Sequence, residues 1–245
     1  MTAPTAAPTP GPGPTPEPAP TSGPASTPEP APTSGPTSTA APTDTPTIGA
    51  PVTDPRTPLD RFAALPVANV GDAMDRLGVV DSAVRAVWRG ARLAGPAFTV
   101  EVAGGDNAGI HEAIGQIRPG QVLVVNGHGV TDRALVGELI AERLRKAGCV
   151  GMVVDGAVRD VDDLEELRFP AFAAGASPAG PYRNGPFRIG RPVAIGGVVV
   201  HPGDLVLGDS DGVAVVPADE ADAVLERAEA KHADETETRR RIVSG

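Results

Sequence analysis

Residues 150–154, Val-Gly-Met-Val-Val, make a run that is apolar on both faces of any strand it forms. Such a strand is central in a sheet, and functional groups collect where it ends. The run is expected to pass into a tight turn at Asp155-Gly156, which delivers Arg159 and Asp160 side by side. A guanidinium can hold an oxyanion or a carboxylate, and a carboxylate can hold a hard metal ion. The same two residues also read as an exposed salt bridge, or as a helix start in which Asp160 caps a helix over 162–167.

The rest of the chain supplies alternating elements. Helices are expected at 59–65 and 67–78. In the second, Val70, Met74 and Leu77 share one face, Asn69 caps the start and Gly78 ends it. Asp72 then falls in the first turn, where a carboxylate offsets the helix dipole. A strand pair broken at Gly95-Pro96 is expected over 89–103, then a turn at 104–107 and a helix over 108–117. A strand at 121–126 leads into a flexible Gly127-His128-Gly129 loop. The next helix is expected over 132–147, stopped by Gly148, with another strand at 169–174. A Gly/Pro loop carries Tyr182 and Arg183, and four short strands between 191 and 216 form antiparallel hairpins. A charged helix follows, from Asp219 to about Arg241. Helices alternating with strands, then strands alone, point to an α/β protein, an α/β/β/α layered sandwich and not a plain doubly wound sheet.

Composition divides the chain near residue 57. Of 28 prolines, 18 lie in the first 58 positions, among Thr, Ala, Ser and Gly. PEPAPTSGP occurs at 16–24 and again at 28–36. Such a segment buries too little apolar surface to offset its ordering entropy, so 1–57 is expected to be a disordered tail and 58–245 the folded domain. No basic start and apolar stretch mark a signal peptide. The net charge is -10, with four acids and one base in 1–57. The folded part is therefore acidic, which argues against a nucleic-acid surface. No apolar run approaches the roughly 20 residues of a membrane span, and the expected compartment is the cytoplasm. The single cysteine, Cys149, sits among apolar residues and is expected to be buried and unreactive.

Motifs narrow the chemistry. GxGxxG, GxxxxGK[ST] and HExxH are all absent, and the four histidines have no ligand spacing. What remains is carboxylates with an arginine. Glu138 precedes Arg159 by twenty intervening residues. A helix returning to its strand can bring the two to one sheet end, although Glu138 alone also reads as a solvent-facing helix residue.

Five blocks carry a family resemblance: GDNAGIHEAI (105–114), GELI (137–140), VVDGAVRD (153–160), FPAFAAGASPAGP (169–181) and VHPGDLVLGDSDGVAVVP (200–217). Together they resemble the RraA-like family, which includes class II pyruvate aldolases and a ribonuclease regulator. The resemblance covers roughly residues 58–216. It implies a divalent-metal-dependent aldolase that cleaves 4-hydroxy-4-methyl-2-oxoglutarate, or 4-carboxy-4-hydroxy-2-oxoadipate, to pyruvate and a 2-oxo acid. Oxaloacetate decarboxylation is implied too, because it passes through the same enolate. Residue by residue, Asp160 would hold Mg²⁺ or Mn²⁺, and Glu138 would orient the ion's waters. Backbone N–H groups of Leu139 and Ile140, next to Gly137, would hold the pyruvyl carboxylate. Arg159 would hold the carbonyl oxygen that becomes an enolate. Asp72 matches a position that a neighbouring subunit contributes. The family's aldolases more often have Asp where this chain has Glu138. The resemblance further implies a homotrimer or hexamer. Two alternatives stay open: a ribonuclease-binding regulator without catalysis, and a related lyase of another small oxo acid, its pocket reshaped by Glu138, Tyr182 and Arg183.

Overall fold

The computed structural model describes residues 57–245. The expected disordered tail lies outside the described residues, save Thr57. That residue caps α1 (Pro58–Ala64): its hydroxyl accepts from Asp60 N–H, and the Asp60 carboxylate returns a bond to the Thr57 N–H.

Four parallel strands form the frame: β2 (Leu93–Val102), β3 (Val122–Val136), β4 (Gly151–Val158) and β5 (Ala171–Ala176). Between them run α3 (Ala108–Ala113), α4 (Glu138–Lys146) and α5 (Val161–Glu166). The sheet order is β1-β5-β4-β3-β2-β9-β10, with β1 (Arg85–Ala86), β9 (Leu205–Asp209) and β10 (Gly212–Val216) antiparallel to their neighbours. The strand β6 (Phe187–Ile189) pairs with the far end of β2. The three crossovers step in one direction, so the right-handed rule puts α3, α4 and α5 on one face of the sheet.

A second two-stranded sheet, β7 (Val193–Ile195) with β8 (Val198–Val200), buries Val193, Ile195 and Val200 in the main core. The remaining helices, α1, α2 (Val67–Ala73) and α6 (Ala221–Ser244), pack over β9 and β10 in a separate apolar cluster around Phe62, Val70, Leu207 and Leu225. The α/β class and the hairpins of the last third match expectation. So does the central strand: β4 lies between β3 and β5, and Met152, Val153 and Val154 are fully buried. No helix among the described residues is long and apolar enough to cross a membrane.

Several local expectations are corrected. The chain does not turn at Asp155-Gly156; β4 continues to Val158, because both residues pair with β3, and only its register against β5 shifts there, between Val154 and Ala157. Residues 132–136 are not helical. They continue β3, which passes through Gly127-His128-Gly129 by bulges, with His128 (φ 59°) and Gly129 (φ 67°) in left-handed conformations. Leu135 therefore belongs to a strand, and the helix begins at Glu138. Gly148 does end it, at φ 85°. Gly95-Pro96 does not break β2. The strand changes partners there, from β9 along 93–96 to β3 from Ala97 onward, so the missing proline N–H falls at a handover. The helix expected over 67–78 stops at Ala73, where Asp75 and Arg76 adopt positive φ, and Leu77 is left exposed. Asn69 lies inside α2 and bonds Glu235 instead of capping. Asp72 accordingly sits near the helix end, not in its first turn.

Cys149 is 4% exposed and donates to Gly151 O at 3.1 Å. Burial pushes its thiol pKa up, only partly offset by backbone N–H groups of Gly151 and Leu123. The native protein should therefore resist a disulfide-exchange reagent at pH 8 and react fully once denatured. Rapid labelling of the folded protein would contradict this packing.

Candidate active site

The C-terminal ends of parallel strands are the usual place for a site in an open α/β sheet. Here β3 and β4 end together. Arg159 N–H donates to Val136 O at 2.9 Å, so the first residue beyond β4 is tied to the last residue of β3. Asp160 follows with φ 55° and ψ 47°, a left-handed conformation that aspartate tolerates better than most residues. It occupies the N-cap position of α5, as one reading of the sequence expected, but its side chain makes no cap bond there. Instead Asp160 Oδ2 accepts the Glu138 N–H at 3.0 Å and lies 3.3 Å from Arg159 Nε. The carboxylate thus caps α4, the neighbouring helix. A carboxylate at that positive helix end is stabilised by about 0.3–1 kcal/mol when exposed.

Gly137, the N-cap of α4, makes this possible. Its backbone is extended, so the requirement is space and not φ. A Cβ built there would collide with the Asp160 carboxylate and would come within 2.8 Å of Arg159 Cγ and 3.0 Å of Arg159 Nε.

Beside this knot opens a cavity of about 170 Å³, lined by Asn107, Gly137, Leu139, Ile140 and Arg159 among others. Of the two backbone donors expected, Leu139 N–H has no acceptor among the described residues. Ile140 N–H is already engaged with Gly137 O at 3.1 Å. Glu138 is partly buried. Its backbone holds Asp160, and its own carboxylate has no hydrogen bond or ion pair among the described residues.

The sequence places Asn107 in the turn before α3, with no sign of a site role. Its side chain makes no cap bond. Nδ2 donates to Leu135 O at 3.1 Å, which fixes the amide orientation, and Oδ1 is buried without a partner among the described residues. A buried acceptor left unsatisfied costs about 1–3 kcal/mol, so this oxygen is suited to a ligand donor. The signal was its place in the GDN triplet, which is otherwise explained by a turn.

Asp72 is not among the residues lining the cavity; it pairs with Lys231 of α6 at 3.1 Å. A larger cavity of about 770 Å³ lies near His201, Asp204, Asp219 and Glu220. Its acidic lining does not suit an anionic substrate.

Among the described residues no three His, Cys, Asp or Glu side chains cluster as a metal cage. A magnesium-type site does not need one, since that ion is held by one or two carboxylates and keeps several waters. Asp160 meets this requirement. Its Oδ2 is engaged, its Oδ1 has no partner among the described residues, and the side chain is one-third exposed. The residues present fit a hard divalent cation.

A family model described as "Aldolase/RraA" matches residues 67–215. A Halalkalibacterium halodurans protein, provisionally named a 4-hydroxy-4-methyl-2-oxoglutarate aldolase, is 37% identical over 186 residues, covering 76% of this chain and 88% of its own. Two crystal structures superpose well. One is an uncharacterized protein of Pseudomonas syringae (TM-score 0.70, 29% identity, 77% of this chain and 92% of that one). The other is RraAS2 of Streptomyces coelicolor, described as an unusual member of the RNase ES inhibitor RraA family (TM-score 0.68, 28% identity, 75% and 96%). By the extent of the family match and by this kinship, the chain belongs to the RraA-like family.

Proposed function

We propose that the protein is a divalent-metal-dependent pyruvate lyase. It cleaves 4-hydroxy-4-methyl-2-oxoglutarate, or 4-carboxy-4-hydroxy-2-oxoadipate, to pyruvate and a 2-oxo acid, and it decarboxylates oxaloacetate. The observation that carries the reading is the Asp160–Glu138 N–H bond, which fastens Arg159 and Asp160 to the start of α4 beside the cavity. In the same reading the protein is cytoplasmic and works as a homotrimer or hexamer.

The substrate's 2-oxo carboxylate sits at the α4 N-terminus, on the open Leu139 N–H and the positive helix end. Arg159 donates to the 2-oxo oxygen. Asn107 Oδ1 accepts from the C4 hydroxyl, which satisfies the orphaned acceptor. The C4 hydroxyl proton passes from its bond to Asn107 Oδ1 to a solvent water, the C3–C4 bond breaks, and C4 becomes the carbonyl of the departing oxo acid. The electron pair passes to the 2-oxo oxygen, where Arg159 stabilises the enolate, and transfer of a proton from solvent water to C3 completes pyruvate. A divalent ion held by Asp160, with Glu138 orienting its waters, would supply Lewis-acid polarisation of the same oxygen.

A lactate-dehydrogenase-coupled assay for pyruvate tests this reading. With Mg²⁺ or Mn²⁺, 4-hydroxy-4-methyl-2-oxoglutarate and oxaloacetate should each give pyruvate far faster than metal and buffer alone, and with EDTA no faster than the protein-free background. Release from oxaloacetate alone would favour a lyase of another small oxo acid. No release from either, by folded protein, would overturn the reading and favour a ribonuclease-binding regulator.

A further inference from the structure

Two neighbours in the turn before α3 divide a task between them. Asn107 lines the cavity and offers its unsatisfied Oδ1 there. Asp106 is only 3% exposed and is not among the lining residues. Its carboxylate is spent on backbone. Oδ1 accepts the Ala108 N–H at 2.9 Å, and Oδ2 accepts the N–H groups of Asn184 at 2.5 Å and Gly185 at 3.1 Å. Burial pushes the Asp106 pKa up, but these bonds outweigh it and the net shift is downward.

The loop that Asp106 holds, residues 177–186 between β5 and β6, supplies part of the cavity wall through Pro181 and Arg183. It also sets Asn107. Tyr182 N–H donates to Gly105 O at 2.8 Å, and Asn107 N–H donates to Tyr182 O at 3.0 Å. The Asn107 side chain is tied at its far end to Leu135 O. The direction of Oδ1 therefore depends on where the loop lies against the turn. Arg133 of β3 fastens the loop from another side. Its guanidinium stacks on the Tyr182 ring at 4.1 Å and donates to Gly180 O at 2.7 Å.

We propose that Asp106 is a positioning residue for carbon–carbon cleavage of hydroxy acids: by clamping the 177–186 loop to the turn before α3, it aims Asn107 Oδ1 at the C4 hydroxyl. This deepens the lyase reading and rests on it. The consequence is selective. Aldol cleavage needs the C4 hydroxyl held while its proton leaves. In oxaloacetate C4 is a carboxylate with no proton to give. There the C3–C4 bond breaks to release carbon dioxide, its electron pair passes to the same 2-oxo oxygen, and C3 takes a proton from solvent water. The two reactions share Arg159 and part at Asn107, and Asp106 acts on the branch that Asn107 serves. Misplacing a reacting contact by about an ångström can cost about 100-fold in rate.

The test compares kcat for pyruvate release from 4-hydroxy-4-methyl-2-oxoglutarate with kcat for release from oxaloacetate, each with Mg²⁺ and corrected for the protein-free background. The readout is the ratio of the two, which a merely structural role would leave unmoved. Asp106→Asn keeps the size of the side chain but presents an amide N–H₂ where the carboxylate presented an oxygen. The freed loop N–H groups lie near the surface, where water can serve them, so the fold should survive, and a melting curve checks it. The ratio should fall about tenfold. Arg133→Met loosens the loop without touching Asp106 and should lower the ratio several-fold. Asn107→Ala should lower it about 100-fold, and adding Asp106→Asn should lower it less than twofold further, because residues that act through one another are not additive. An unchanged ratio in folded Asp106→Asn, or in Arg133→Met if the former does not fold, would overturn the proposal. So would losses that multiply in the double variant. No pyruvate from either substrate by folded wild-type protein would remove the lyase reading itself, and the proposal with it.

Discussion

Replacing Arg159 with Ala should lower kcat for pyruvate formation by about 100- to 1,000-fold. The effect is electrostatic. The 2-oxo oxygen is a dipole end in the ground state and a full charge in the enolate, so a guanidinium beside it contributes most at the transition state. The loss should fall mainly on kcat, with KM changed little. Arg159→Lys should recover only part of it. The Nε contact to Asp160 at 3.3 Å fixes the guanidinium plane, and an ammonium on a flexible stem has no equivalent group. The side chain is 41% exposed, so neither change should disturb the core. Steady-state kinetics on both variants, with melting curves alongside, checks this. Undiminished kcat in Arg159→Ala would remove Arg159 from the chemistry.

Gly137→Ala should separate activity from stability. The new methyl group meets the Asp160 carboxylate and Arg159, not backbone, so the two side chains yield and the fold does not. The backbone at Gly137 is extended (φ -137°), which alanine adopts freely. The melting temperature should shift by only a few degrees. Activity should fall by about 100-fold, the usual cost of moving catalytic groups by about an ångström. The Asp160–Glu138 cap should lengthen or break, visible in a crystal structure of the variant. Near-normal activity would mean that the contact between Gly137 and the Arg-Asp pair is incidental.

The sequence made the central strand legible because burial on both faces leaves a pattern that survives any detail of pairing. It also brought Glu138, Arg159 and Asp160 into view as a set. What it concealed was the way they are joined. Asp160 looked like a cap for the helix that follows it, and local spacing contains nothing to indicate that its left-handed backbone turns the carboxylate to α4 instead. The 15-residue β3 was hidden for a related reason. Gly127, His128 and Gly129 carry loop signals, and 132–136 continue a helical pattern into α4. Pairing with β4 through three register shifts overrides both. Asn107 escaped as a site residue because its partner, Leu135, lies 28 residues away.

In the proposed reading Arg159, with a divalent ion that Asp160 would hold, stabilises the enolate of pyruvate, whatever acid is joined to it. Proton NMR of pyruvate in D₂O tests that without knowing the natural substrate. With Mg²⁺ or Mn²⁺ the wild-type protein should exchange the methyl protons of pyruvate for deuterium far faster than buffer and metal alone. EDTA, Arg159→Ala and Asp160→Ala should each reduce the rate to background. Background exchange in the folded, metal-supplied wild type would contradict the enolate site, and so would undiminished exchange in both variants.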